Sequence, residues 1–324
     1  MPSEAEPSSL HHHQIYGLTV ALDWAPSAPL IPSDAAPDLV VREAAQPLIP
    51  SEAELLIKGG ELEGLFRHAD RFYFAFAQIA EFEVRPAEIR YRITDETYRY
   101  AIELWLRGTV LAFWLEWQQR PSLHASAVVI GEQAVGFMAT NKGGKSSLAA
   151  TLMQRGHPLL SDDILAITRG DLPGEPPLGH PGFPQMRMWP EQAVHFVDDV
   201  DALATVHPYI EKKRVPVGGA GIAGTFCPEA RPLAVLYLPE RSDDVEAIRI
   251  APVSQTEALL MLVKESFVAR LIEAARWQGR RLGTLGSIVK AVPVRRLIYP
   301  NGMDLLPAVA QAVEQDAQVG VDMP

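Results

Sequence analysis

Residues 134 to 163 read AVGFMATNKGGKSSLAATLMQRGHPLLSDD, and the reading of this stretch decides the fold. Ala134, Val135, Phe137 and Met138 form a short apolar run that suits a buried strand. A loop containing Gly143 and Gly144 follows at once, and then Lys145-Ser146. A phosphate-binding loop requires that order: the glycines let backbone N–H groups turn toward a polyphosphate, and the next helix presents its positive end to the same anion. On this reading Ala139, Thr140, Asn141, Lys142, Gly143, Gly144, Lys145, Ser146 and Ser147 surround the phosphates of ATP. Lys145 is the point charge opposite the β- and γ-phosphates, and the Ser146 hydroxyl is a ligand for Mg²⁺. The first glycine of the usual G-x-x-x-x-G-K-[ST] pattern is replaced by Ala139. A left-handed conformation there would cost about 1 kcal/mol or more, so Ala139 is expected at ordinary backbone angles as the last residue of the strand.

Ser147 to Gln154 are good helix formers, and Gly156 stands where a helix C-cap belongs. The next apolar run, Leu159-Leu160, ends in Ser161-Asp162-Asp163. If that second strand lies beside the first, both acids emerge at the carboxyl edge next to the loop, where open α/β sheets bind ligands. In isolation Asp162-Asp163 would read as a solvated turn. Beside a phosphate loop it reads as one carboxylate that shares a metal with Ser146 and another that accepts a hydroxyl proton.

The run GKSSLAATLMQRGHPLLSDD, residues 144 to 163, is similar to the catalytic core of HPr kinase/phosphorylase, whose phosphate loop is followed at the same interval by R-G-H, a short strand and a D-D pair. The upstream LHASAVVIGEQAVGF also resembles that family, which carries a histidine at the start of the preceding strand, here His124. A branch of HPr kinase-like proteins, often encoded with modification systems for ribosomal peptides such as lasso peptides, is more similar still. It has L-H-A-S-A-V, L-L-S-D-D and a Pro-rich segment ending in R-x-W, matched here by residues 179–184 leading to Arg187-Met188-Trp189. The resemblance spans about residues 121 to 190. It implies an α/β fold with a P-loop kinase core of the HPr kinase type, Asp163 as base, Asp162 on the metal side and His124 orienting the pair; Arg187, in a segment that reads as a substrate or nucleotide loop, is a candidate phosphate contact. The two adjacent acids cannot be told apart from the residues themselves. Family members also carry a metal-binding glutamate in an E-x-R-G-L-G-like segment, and no such segment occurs here. The only carboxylates between Asp163 and Trp189 are Asp171 and Glu175, in a stretch that does not match that segment, so a kinase without phosphorylase activity is expected.

Composition bounds the remaining possibilities. With 324 residues, 48% hydrophobic and 21% charged, the chain can build one large or two medium domains. A formal charge of −11, with no basic run longer than Lys212-Lys213-Arg214, argues against a nucleic-acid partner. The single cysteine, Cys227, has no intramolecular disulfide partner and no neighbours of a zinc site. The opening MPSEAEPSSLHHHQ is acidic and polar, unlike a signal peptide, so a cytoplasmic setting is expected.

The expected organisation is a disordered lead-in over 1–14, a smaller α+β domain over 15–120, the catalytic domain over 121–316 and a polar tail over 317–324. Phe72, Phe74 and Phe76 alternate with Tyr73 and Ala75, and Ile89, Tyr91 and Ile93 alternate with Arg90, Arg92 and Thr94. These read as strands of a small antiparallel sheet. Thr97 to Gln119 reads as one buried helix, in which Glu103, Arg107 and Glu116 leave too short an uncharged run for a membrane span. Residues 170–190 hold six prolines and four glycines, too many for a helix or a central strand, and suit a substrate or nucleotide loop. Lys212-Lys213-Arg214 reads equally as a phosphate contact or a solvated turn. Further on, Leu233–Leu238 and Val245–Ile250 are expected as a hairpin, Ser254 as the cap of a helix over Ala258–Phe267, and Ala269–Gln278 as another helix.

The function expected from these features is a Mg²⁺/ATP-dependent serine kinase whose acceptor is a hydroxyl on a peptide or small protein. A small-molecule kinase and a nucleotide-binding regulator without turnover stay open as alternatives, as does a homo-oligomer. No nucleic acid or membrane partner is expected.

Overall fold

The structure, a computed structural model, describes residues 10–27, 30–60, 62–139, 143–170, 174–207 and 210–319. The expected loop residues Thr140, Asn141 and Lys142, and Asp171, lie outside the described residues. The protein is mixed α/β with several sheets, and it divides into two compact units. One comprises Met1–Gln118 with Arg270–Trp277; the other comprises Gln119–Ala269 with Gln278–Pro324.

The first unit holds a nine-stranded sheet rather than a small one, in the order Ile31–Pro32, His11–Ile15, Leu18–Leu22, Leu39–Glu43, Glu88–Ile93, Ala80–Val84, Arg71–Phe76, Leu62–His68, Glu54–Gly59. It is not purely antiparallel: Leu39–Glu43 runs parallel to both of its neighbours. The expected disordered lead-in does not hold for His11 to Gln14, which pair with Leu18–Leu22. The turn explains why. Tyr16 and Gly17 take φ values of 53° and 71°, the two positive values that a two-residue hairpin turn matching strand twist requires.

The alternation of Phe72, Phe74 and Phe76 puts all three rings on one face, as a strand must. Phe72 and Phe74 meet Phe113 edge-on at 5.0 and 5.2 Å, and Phe76 stacks on Trp105 at 4.8 Å. The helical segment that supplies those partners is not one regular helix: Arg99–Trp105 and Leu111–Trp117 are α-helical, and Leu106–Val110 between them is a π-helical insert. Trp277 packs at 5.2 Å from Phe72 and 4.8 Å from Phe113. Those contacts join Arg270–Trp277 to this unit, although the sequence placed it inside the catalytic domain.

In the second unit the main sheet runs Ser122–Leu123, Leu165–Thr168, Leu178–His180, Arg231–Arg241, Gln133–Met138, Ala125–Ile130, Leu159–Ser161. Alternate side chains build two cores. Val128, Ile130, Val135 and Phe137 pack with Leu148, Leu152, Val309 and Val313. Ala127, Val129, Ala134 and Met138 pack with Ala258, Leu262, Leu285 and Ile288. Helices therefore cover both faces, the layer arrangement that buries such apolar strands. A separate three-stranded sheet has the order Gln185–Met188, Ile210–Pro216, Thr205–His207.

Several expectations are corrected here. Leu159–Ser161 does not lie beside Gln133–Met138, because Ala125–Ile130 sits between them, antiparallel to both. The Pro/Gly-rich segment is not all loop: Leu178–His180 pairs with strands on both sides, and Gln185–Met188 joins the smaller sheet. The hairpin expected after Leu238 is absent. Arg249–Pro252 pairs instead with Val294–Tyr299, which lies parallel beside Arg231–Arg241. The last helix runs Leu306–Val319, into the expected polar tail.

The helix Gln278–Ala291 was unforeseen, since Gly279, Gly283 and Gly286 lower its intrinsic propensity. A methyl group at Gly283 or Gly286 would meet nothing within 4 Å. The double variant Gly283→Ala/Gly286→Ala should therefore raise stability by about 1–2 kcal/mol through the unfolded chain. An unchanged or lower urea midpoint would show that this face is covered. Among the described residues no helix is long and apolar enough to cross a membrane.

Candidate functional site

One edge of the main sheet collects the residues singled out by sequence. Because Ala125–Ile130 is antiparallel to both neighbours, its start meets their ends, with Ala125 opposite Met138 and Ala127 opposite Ser161. His124, Ala139 and the Asp162-Asp163 pair thus converge without the two flanking strands touching. Arg231–Arg241 and Val294–Tyr299 run parallel to Gln133–Met138, so Arg241 and Tyr299 end at the same edge.

The turn at Gly144 is left-handed, with φ 88°, and opens the helix Lys145–Gln154. A Cβ at Gly144 would be strained by the φ and would stand 3.0 Å from the Tyr299 hydroxyl, a tight approach. No side chain caps this helix, and its first turn holds no acid. Such an N-terminus is a ready anion site. Ala139 takes no positive φ, and the strand ends one residue before it, at Met138. Ser147 is buried and is not among the residues that line the cleft.

Lys145 is only 7% exposed, and its Nζ donates to the Ala139 carbonyl at 2.6 Å. Burial pushes this ammonium below the usual lysine range, and Asp162, Asp163 and Glu265 oppose the shift without cancelling it.

The two acids have different surroundings. Asp162 is buried; its Oδ1 accepts from Ser126 Oγ at 2.5 Å and Ser146 Oγ at 2.9 Å, and its Oδ2 accepts from the Arg187 N–H at 2.8 Å. Asp163 turns into the cleft. Its Oδ2 accepts from the Arg187 guanidinium at 2.8 Å, and its Oδ1 lies 3.4 Å from His124 Nδ1. Burial pushes the Asp163 carboxyl up, but Arg187, His124, Lys212 and Lys145 together outweigh it and hold the group below the usual carboxylate range.

Asp163 also has φ 73°, a conformation that aspartate and asparagine tolerate better than most residues. The turn is held by Ser161 Oγ, which donates to the Ile164 carbonyl at 2.5 Å, and by the Asp163 carbonyl, 3.0 Å from His124 Nδ1. His124 is held in turn through its own N–H, which donates to the Glu265 carbonyl at 2.7 Å. Its contact with Asp163 is therefore through backbone and carboxylate together.

His124, Gly143, Gly144, Lys145, Ser146, Asp163 and Arg187 line one cleft together with Trp189, Gln192 and Lys212. Arg187 reaches that cleft but is engaged with Asp163, so the expectation of a simple phosphate contact is revised: one residue fixes both acids, by backbone to Asp162 and by side chain to Asp163. Ser126, Glu265 and Tyr299 were not singled out by sequence. Ser126 had a legible signal, since it is the polar residue in the otherwise apolar strand Ala125–Ile130.

No family model matches this sequence, and no curated protein matches it. Among solved structures, the HPr(Ser) kinase/phosphatase from Coxiella burnetii is similar at 12% identity over 62% of this chain and 99% of that one, with a TM-score of 0.31. That likeness is too slight to assign an activity.

Proposed function

We propose that this chain is a phosphotransferase, a kinase with a P-loop core, that moves the terminal phosphoryl group of ATP to a hydroxyl, the preferred acceptor being a serine of a peptide or small protein. The observation that carries this reading is the meeting of an uncapped helix N-terminus, opened by Gly144-Lys145-Ser146, with two adjacent carboxylates that are bonded differently.

Lys145 and the N–H groups of the first helical turn would hold the phosphates. Ser146 Oγ and Asp162 Oδ1, 2.9 Å apart, form the hydroxyl and carboxylate donor set that Mg²⁺ accepts alongside phosphate oxygens. When bound there, Mg²⁺ would supply charge neutralisation for the phosphates. Asp163, ionised and facing the cleft, would take the proton of the acceptor hydroxyl, while Arg187 and His124 fix its direction. A carboxylate suffices because catalysis of this transfer is mostly positioning and charge stabilisation. ATP as donor fits a cytoplasmic role.

The direct test is to incubate the protein with Mg-ATP and peptides or small proteins encoded beside it, and to follow phosphoserine by mass spectrometry. Nucleotide binding with no phosphorylated product among peptides, proteins or metabolites would favour a regulator without turnover. The reading also has a direction. Reversal by inorganic phosphate crowds phosphoserine, phosphate and metal into one site and demands fuller cation coordination. Glu175 is exposed and does not line the cleft. Phosphorylated product incubated with Mg²⁺ and excess phosphate, without nucleotide, should yield no pyrophosphate; its formation would show that the absent glutamate was over-read.

A further inference from the structure

The cleft that Lys145 lines also carries a cation that the mechanism above does not use. Lys212 lies in the strand Ile210–Pro216, which pairs with Gln185–Met188 so that Arg187 stands opposite Arg214 and Met188 opposite Lys213. Period-two alternation then separates the basic run. Lys213 falls on the face of the buried Met186, Met188 and Val215, where its Nζ donates to the Leu203 carbonyl at 3.0 Å. Lys212 falls on the opposite face, with Arg187, and borders the cleft. The solvated-turn alternative for this run therefore does not hold: all three residues lie in a strand, and the two lysines point to opposite faces of it.

The cations of the cleft differ in what they already hold. Arg187 is paired with Asp163, and Lys145 Nζ is bonded to Ala139 and lies among carboxylates. Among the described residues Lys212 has no ion-pair partner; its Nζ stands 5.6 Å from the centroid of the Trp189 ring. An exposed cation–π contact contributes about 0.5–1 kcal/mol, less than a charge-assisted bond to a phosphate oxygen. Trp189 can therefore hold the ammonium in readiness and release it to an anion. A chain with formal charge −11 nevertheless concentrates cations at this cleft, which points to an anionic ligand. Lys212, Asp163 and Lys145 line the same cleft, so its ammonium shares that space with both the acceptor side and the phosphate side.

Resting on the kinase reading, we propose that Lys212, poised on the face of Trp189, is a catalytic residue that engages the γ-phosphoryl group during transfer. As the acceptor oxygen forms its bond to phosphorus, the bond from phosphorus to the β–γ bridging oxygen breaks and its electron pair leaves with ADP. The acceptor proton passes to Asp163. Negative charge spreads meanwhile over the three equatorial oxygens, and Lys212 offsets it.

The test uses the full chain with Lys212→Met, which keeps the aliphatic stem over the ring, and Lys212→Arg, which keeps the charge. Calorimetry with Mg-ADP, Mg-ATP and inorganic tripolyphosphate needs no acceptor. Lys212→Met should weaken Mg-ATP and tripolyphosphate about 10-fold and leave Mg-ADP within about 2-fold, and Lys212→Arg should recover most of the loss. The tryptophan fluorescence lost in Trp189→Phe should respond to Mg-ATP and not to Mg-ADP in the wild type, as the ammonium leaves the ring. Equal loss for both nucleotides, or none, would overturn the assignment. If Lys145→Met abolishes nucleotide binding while Lys212→Met behaves as wild type, only this inference fails. If Lys145→Met leaves nucleotide binding intact, the kinase reading fails with it.

Discussion

Lys145→Met should abolish phosphoryl transfer and weaken Mg-ATP binding by about 100-fold or more, with no loss of thermal stability. The first part follows from position: Lys145 opens the helix Lys145–Gln154 and lines the cleft, and its ammonium is the buried charge beside the loop glycines. The second part follows from the sign of its titration shift. Burial costs the Lys145 ammonium more than Asp162, Asp163 and Glu265 return, so its proton is held less tightly in the folded chain than in the unfolded one. An uncharged side chain of similar length removes that cost. Arginine should not rescue the activity, since a planar fork does not replace a point charge in that space. Calorimetry with Mg-ATP and a thermal melt on the same preparation decide the matter. Unchanged affinity in a folded variant would remove Lys145 from the donor site; a lower melting temperature would show that the carboxylates return more than burial costs.

Asp163→Asn should lower transfer by about 100-fold or more while Mg-ATP still binds. The substitution is well controlled by the backbone, because asparagine accepts the φ of 73° as readily as aspartate does. What it removes is the ability to take a proton and the ion pair with Arg187. The pH dependence gives a second handle. Asp163 is held below the usual carboxylate range in the folded state, so its contribution to stability is present above its unfolded value and is lost as pH falls through the lower folded value. The same depression keeps the proposed base ionised through neutral pH. Arg187→Met takes away the largest of the influences that lower it, so the acid limb of the pH–rate profile should move to higher pH. A limb that stays in place would mean that Asp163 is not the group titrating in the rate.

The parts of the site legible from residues alone were those coded locally. Gly143-Gly144-Lys145-Ser146 demands a left-handed turn and then a helix, both short-range consequences of missing Cβ atoms and of helix propensity, and the structure has the turn at Gly144 and the helix at Lys145–Gln154. The place of Asp162-Asp163 at the end of the short strand Leu159–Ser161 was legible too, from the apolar run before it. The difference between the two acids was not. It depends on Ser126, Ser146 and Arg187, which come from three other elements and meet only when the sheet is assembled.

Strand partners were the main casualty for an equivalent reason. An apolar run announces a strand but carries no record of its neighbour, so Ala125–Ile130 entering between two parallel strands, and Val294–Tyr299 displacing a local hairpin, were decided by long-range burial. Lys212 makes the point within one tripeptide. Three consecutive basic residues look alike in sequence, and only the pairing of their strand with Gln185–Met188 sends one lysine to a backbone carbonyl in the core and the other to the cleft.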